Sequence, residues 1–78
     1  MKLEILTPQK MLFSGEVDSV TLPGVLGAFT VLSDHAPMIS SLRTEGETTY
    51  VQGAKRETLV LGGGFVEVWK NQVIVCVE

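Results

Sequence analysis

Hydrophobic and polar residues alternate with a period of two at the start of the chain, where Leu3 and Ile5 alternate with Lys2 and Glu4. Further short segments are rich in apolar and β-branched residues, namely Ile39–Leu42, Thr48–Val51, Thr58–Leu61, Phe65–Trp69 and Val73–Val77. Because successive side chains on a strand point to opposite faces and β-branched residues fit a pleated surface, both features predict β-strands. No segment carries apolar residues at the i, i+3, i+4, i+7 spacing of an amphipathic helix, so we expect little or no helix.

Turn signals divide the alternating segments at short intervals. The clearest are Pro23-Gly24 followed by Gly27, His35-Ala36-Pro37, Gln52-Gly53-Ala54-Lys55 and Lys70-Asn71-Gln72. Glycine and asparagine tolerate the backbone angles of tight turns, and proline cannot donate to a strand ladder. The sequence therefore predicts an all-β fold of eight to ten short strands, arranged as a sandwich or flattened barrel of two packed sheets.

Length and composition limit the chain to one globular domain, residues 1–78. With 45% hydrophobic and 19% charged residues it has enough apolar surface to fold. The net charge of −3, with six scattered Lys and Arg, argues against a nucleic-acid partner. The longest apolar run, Val73–Val77, is too short to cross a membrane, and no signal-peptide core follows Met1.

No residue offers convincing catalytic or metal-binding chemistry. A single Cys76 and a single His35 cannot form a disulfide or a typical metal site, so we expect a reducing compartment, no metal and no cofactor. Gly62-Gly63-Gly64 lacks the Lys and helix start of a phosphate loop and favours a bend between close strands. His35 has no nucleophile near it in sequence. We expect no catalytic residue and no enzyme activity.

Several apolar residues crowd two neighbouring turns, namely Val25, Leu26, Phe29 and Met38. They are either packed loops or a docking edge. The last strand is apolar on both faces, which indicates that either the second sheet or a partner covers it. Trp69 is either a binding anchor or an aromatic packed across its own hairpin.

An ordered set of segments resembles a known family. The segments are Phe13–Val17, Leu22–Gly24, Gly27–Leu32, His35–Pro37 and Gly63–Val68. Together they make the chain similar, over all 78 residues, to the epsilon subunit of F-type ATP synthases. The resemblance implies a non-catalytic rotor subunit that couples the gamma subunit to the membrane c-ring of a proton-translocating enzyme. It also implies a peripheral protein at the cytoplasmic face of the bacterial inner membrane, not a functional homo-oligomer.

The resemblance also assigns two expected interfaces. Residues Thr7, His35 and Ser40 would face the gamma subunit, and residues Gly24, Val25, Leu26, Gly27, Ala28 and Phe29 would face the c-ring. Many family members carry an acidic residue where Ala28 stands, so apolar packing by its neighbours would replace a polar contact. Many also continue into an inhibitory two-helix domain after the position of Glu78. We expect a naturally short subunit without that domain.

One alternative from another class remains open, a biotinyl or lipoyl carrier domain. Such domains are also small and all-β, and they display a lysine at a hairpin tip, where Lys55 is expected. Against this, Lys55 lies between Ala54 and Arg56, without the acidic and Met or Ala neighbours that modifying ligases recognise.

Overall fold

Strands and turns make up the whole structure, a computed structural model that describes residues 1–78. The strands are β1 (Lys2–Leu6), β2 (Met11–Glu16), β3 (Ser19–Gly24), β4 (Gly27–Leu32), β5 (Met38–Gln52), β6 (Lys55–Trp69) and β7 (Gln72–Val77). The all-β prediction is confirmed. No helix is present, and hence none that is long and apolar enough to span a bilayer.

The strands number seven, not the predicted eight to ten. Two pairs of predicted short strands join into β5 and β6, each 15 residues long. The polar run after Leu42 and the glycines before Phe65 interrupt the alternation without ending the pairing. The β5–β6 ladder continues from Leu42↔Gly64 to Glu45↔Gly62 through a register shift. The shift is a bulge, which bends a strand rather than terminating it.

All seven strands form one hydrogen-bonded sheet in the order β2-β1-β7-β6-β5-β3-β4. Only the β1–β7 pair is parallel. The bend in β5 and β6 folds this sheet over onto itself, which gives the predicted sandwich. The first layer contains β2, β1, β7 and residues 64–69 and 38–42. The second contains β4, residues 45–52 and 55–62, and most of β3, whose last residue Gly24 pairs with Leu42.

Glycines permit the close approach at the bend. A Cβ on Gly64 would overlap the Cys76 carbonyl oxygen and lie 2.9 Å from the Val77 Cα. A Cβ on Gly46 would lie 2.5 Å from the Pro23 Cβ. Both distances are below van der Waals contact, so only glycine fits. This supports the interpretation of Gly62-Gly63-Gly64 as a structural bend and not a phosphate loop.

The core lies between the layers and contains 13 buried hydrophobic residues, five of them valines from β6 and β7. Each fully buried Val, Leu or Ile contributes about 1.5–3 kcal/mol relative to exposure. The rings of Phe13 and Tyr50, 4.2 Å apart, join β2 of the first layer to β5 of the second. Thr48 is also fully buried, and its Oγ1 has no hydrogen-bond partner.

Candidate docking surfaces

The β3–β4 hairpin ends in an exposed apolar tip. Gly24 pairs with Gly27, which leaves Val25 and Leu26 as the two residues of the turn. Their side chains are 52% and 101% exposed. Gly27 has φ +136°, a conformation that side-chain-bearing residues rarely adopt. The Val25 amide donates to the Ser41 carbonyl over 3.1 Å, so the tip is fixed to β5.

The six residues expected at the c-ring do not share one environment. Val25, Leu26, Gly27 and Ala28 are exposed, whereas Gly24 is buried. Phe29 is half-buried and packs against the hydrophobic core. Its ring lies beneath Gly24, where an added Cβ would come within 2.9 Å of the Phe29 Cε1. A docking surface here therefore consists of the tip itself, and Phe29 supports the tip from inside.

His35 lies in the loop between β4 and β5 and is half-buried. Its Nδ1 is 2.7 Å from the Ala36 carbonyl oxygen, so the Nδ1–H form donates to that oxygen. The His35 amide donates to the Leu32 carbonyl over 3.2 Å. These bonds fix the ring and leave Nε2 for a partner outside the chain.

The same loop is tied to the β6–β7 turn. Lys70 and Asn71 have φ values of 46° and 60°, the left-handed pair that a type I′ turn requires. Asp34, with φ 64°, donates its amide to the Asn71 Oδ1, and the Asn71 Nδ2 donates back to the Asp34 Oδ1. The turn thus holds the loop that carries His35.

Thr7 and Ser40 use their hydroxyls within the chain. The Thr7 Oγ1 accepts the Gln9 and Lys10 amides at 3.3 and 3.1 Å and donates to the Lys10 carbonyl, which shapes the β1–β2 loop. Ser40 pairs with the buried Val66, so it faces inward, and its Oγ donates to the Ser41 carbonyl. Both hydroxyl protons are therefore donated within the chain.

The three residues expected at the gamma subunit do not form one cluster. The Thr7 loop follows Leu6, which pairs with Cys76 at one end of the first layer. The His35 loop lies at the other end, where Asn71 adjoins the Lys2↔Gln72 pair. Lys2 and Leu6, at the two ends of β1, are four residue steps apart, about 13 Å at strand spacing. A single partner that contacts both loops must span the first layer.

The outward side of that layer carries large apolar side chains, of which the sequence singled out only Trp69 as a possible binding anchor. Ile39 is 68% exposed, Trp69 53% and Phe65 45%. Trp69 is not part of the hydrophobic core, and the Lys70 Nζ lies 5.6 Å from its ring centroid. The alternation of Phe65, Glu67 and Trp69 with the buried valines between them was the signal that could have revealed this surface.

The remaining candidates have ordinary surroundings. Lys55 begins β6 beside the Gly53-Ala54 turn and forms an exposed ion pair with Glu57 at 3.6 Å. Cys76 is half-buried on β7 opposite Phe65. No group of three His, Cys, Asp or Glu side chains is arranged to hold a metal ion.

These features define a small β-sandwich with an apolar tip and an apolar outer face, and with no built catalytic constellation. The sequence profile described as "ATP synthase, Delta/Epsilon chain, beta-sandwich domain" matches residues 1–78, so the chain belongs to that family. It is 41% identical to the ATP synthase epsilon chain of Chlorobaculum tepidum, covering 97% of this chain and 86% of that one. It is also 41% identical to the epsilon chain of Anaeromyxobacter sp. strain K, covering 100% of this chain and 58% of that one.

Solved structures share the fold at low sequence identity. One match is a chain of the Euglena gracilis mitochondrial ATP synthase, solved with OSCP, F1 and c-ring, with a TM-score of 0.88 at 23% identity. It covers 96% of this chain and 48% of that chain. A chain of the Tetrahymena thermophila mitochondrial ATP synthase central stalk and c-ring has a TM-score of 0.81 at 14% identity, covering 97% and 61%. The chain thus spans about half to three fifths of these longer proteins.

Proposed function

We propose that this chain is a non-catalytic central-stalk component of a proton-translocating F-type ATP synthase. In this proposal it links the gamma subunit to the c-ring and is peripheral to the membrane, at the cytoplasmic face of the bacterial inner membrane. Membership of the epsilon-chain family supports this role. The observation that carries the linking function is the fixed apolar tip, because a fully exposed Leu26 at a rigid turn is costly to hydrate and suited to docking.

The c-ring contact is assigned to Val25 and Leu26, with Gly24, Gly27, Ala28 and Phe29 shaping the tip. Ala28 is exposed but carries no charge, so the contact depends on apolar burial. Arg43 and Glu45 line a depression beside Val25 and offer the nearest charged groups. Burial of one Leu-sized side chain contributes about 1.5–3 kcal/mol, which is about one to two decades in affinity.

The gamma contact is assigned to the first layer, with His35 as its polar anchor. The Nε2 atom is the only ring nitrogen left for a partner, because Nδ1 is bonded to the Ala36 carbonyl. Thr7 and Ser40 contribute through the backbone conformation that their hydroxyls stabilise. Replacing His35 by Ala should cost about 1–3 kcal/mol if it leaves a buried partner group unpaired.

The proposal is tested by co-purifying the chain with the gamma subunit of the same organism and with the isolated c-ring. We expect stable gamma binding that weakens in His35→Ala and persists in Leu26→Ala, and c-ring association with the reverse pattern. Failure of the wild-type chain to bind gamma would refute the proposal. The carrier alternative predicts an acyl adduct on Lys55, which an intact mass would reveal; the family match does not support it.

A further inference from the structure

His35 is the only histidine of the chain, and the loop that carries it is fixed on both sides. Its own amide donates to the Leu32 carbonyl over 3.2 Å, which holds the loop to the end of β4. The preceding residue, Asp34, exchanges two hydrogen bonds with Asn71 in the β6–β7 turn. The half-buried imidazole ring therefore has a defined position at the surface of the sandwich.

One nitrogen of the ring is engaged within the chain. The Nδ1 atom lies 2.7 Å from the Ala36 carbonyl oxygen, which can only accept a hydrogen bond, so Nδ1 carries a proton. A neutral imidazole has a single N–H group, and the Nε2 atom of neutral His35 is therefore an acceptor. Nε2 itself makes no hydrogen bond within the chain.

Protonation of the ring changes its hydrogen bonding at Nε2 alone. The Nδ1–H bond to the Ala36 carbonyl is present in both forms, because a charged imidazole donates from both nitrogens. The Nε2 atom, in contrast, changes from an acceptor to a donor. Histidine is the side chain that ordinarily makes this change between about pH 5 and 8, and the chain has no second histidine. A pH change in this range therefore acts on the surface of the chain mainly through one ring nitrogen.

The charged residues of the elements packed against this loop do not hold the ring in one form. Two are anionic and two are cationic, namely Asp34, Glu67, Lys2 and Lys70. No carboxylate of the chain lies within 4 Å of either His35 ring nitrogen. The nearest in sequence, that of Asp34, accepts a hydrogen bond from the Asn71 Nδ2. The protonation of His35 is therefore free to respond to pH and to a partner.

From these observations we infer that His35 recognises a hydrogen-bond donor of the gamma subunit and makes the gamma contact sensitive to pH. The neutral ring accepts, through Nε2, a hydrogen bond from an amide, hydroxyl or ammonium group of gamma. Protonation places two donors opposite each other, so the affinity for gamma falls as the pH falls. The inference rests on the proposed function, which makes His35 the polar anchor for gamma, and it adds the chemistry of the group that His35 contacts.

The experiment measures the dissociation constant for purified gamma subunit of the same organism at about pH 7.5 and about pH 5.5, on either side of the usual histidine titration. Because only the neutral ring accepts, the wild-type dissociation constant should rise about tenfold at the lower pH. His35→Gln is the matched control, since its side-chain oxygen accepts a hydrogen bond and does not titrate, so it reports the pH dependence of gamma itself. His35→Lys, a permanent donor, should bind weakly at both pH values. Melting temperatures at both pH values establish that each variant is folded.

Nitrogen NMR of the free chain tests the position of the ring proton directly. At the higher pH the proton should lie on Nδ1, and a proton on Nε2 overturns the inference. An equal rise of the dissociation constant in the wild type and in His35→Gln also overturns it. So does tighter wild-type binding at the lower pH, which would indicate an acceptor on gamma. In each of these cases the proposed function stands, whereas failure of the wild-type chain to bind gamma at the higher pH overturns both.

Discussion

Asp34 and Asn71 hold each other in left-handed conformations through two reciprocal hydrogen bonds. The Asp34 amide donates to the Asn71 Oδ1 over 2.6 Å, and the Asn71 Nδ2 donates to the Asp34 Oδ1 over 3.0 Å. The residues are 37 positions apart in sequence. The pair joins the loop that carries His35 to the β6–β7 turn beside Trp69, so it fixes the position of the proposed gamma contact at His35.

This pairing predicts the behaviour of two substitutions at position 71. Asn71→Gly keeps the left-handed turn but removes both side-chain bonds, and we expect a loss of about 1 kcal/mol in the free energy of unfolding. Asn71→Ala removes the same bonds and also places a residue with a Cβ in the left-handed region, which should lower the free energy of unfolding by about 1–2 kcal/mol more. Urea unfolding measures both changes. Equal stability of Asn71→Gly and the wild type would show that the pair contributes nothing.

The hairpin tip and the residue beneath it should respond differently to truncation. Phe29→Ala removes a half-buried ring that packs on the core. We expect the free energy of unfolding to fall by about 2 kcal/mol, less than the roughly 3–5 kcal/mol typical of a fully buried Phe. Leu26→Ala removes a fully exposed side chain and should change the stability by less than about 0.5 kcal/mol. Thermal unfolding of the two variants distinguishes them. A stability loss in Leu26→Ala comparable to that in Phe29→Ala contradicts the described tip.

Within Gly62-Gly63-Gly64, position 62 should tolerate alanine and position 64 should not. A Cβ at Gly64 overlaps the Cys76 carbonyl, so Gly64→Ala should cost about 3 kcal/mol or more, or prevent folding. The nearest atom to a Cβ at Gly62 is the Glu78 carbonyl oxygen at 3.8 Å, an ordinary contact. Gly62→Ala is therefore the control and should be near neutral. Circular dichroism with thermal melting checks both variants, and a stable Gly64→Ala protein would refute the close crossing.

The buried, unpaired hydroxyl of Thr48 destabilises the fold. Thr48→Val keeps the shape of the side chain and removes an unpaired polar atom. We therefore expect the free energy of unfolding to rise by about 1–2 kcal/mol. The control is Thr49→Val on the same strand, whose hydroxyl is bonded to Thr58 at 3.0 Å and is not fully buried. That change should give no comparable gain. A destabilised Thr48→Val protein would indicate that the Thr48 hydroxyl has a partner.

Local signals predicted the turns better than they predicted the strands between them. Pro23-Gly24, Gln52–Lys55 and Lys70–Gln72 all mark turns in the structure, because glycine, asparagine and proline act on the backbone within a few residues. The continuity of β5 and β6 was missed, since glycine both ends strands and permits them to bend. The parallel pairing of β1 with β7 is a contact between chain ends that no local pattern encodes.

The exposed apolar surfaces were also predicted only in part. The exposed tip at Val25 and Leu26 follows from apolar residues inside a turn signal. Phe29 was grouped with them because a sequence does not show which face of a strand turns inward until the register is known. The same uncertainty hid the exposed apolar residues on the outward face of the first layer, because the apolar residues on both faces of β7 were compatible with cover by the second sheet or by a partner.

The most direct test of the central claim, that this chain couples gamma to the c-ring, is ATP-driven proton pumping. The measurement uses membranes of the same organism whose ATP synthase lacks its epsilon subunit, reconstituted with this chain or with Leu26→Asp. We expect the wild-type chain to restore pumping. Leu26→Asp should bind gamma normally but restore much less pumping, because a charge replaces the apolar tip. Equal pumping with both proteins, or no pumping with the wild-type chain, would contradict the proposed coupling of gamma to the c-ring through the apolar tip.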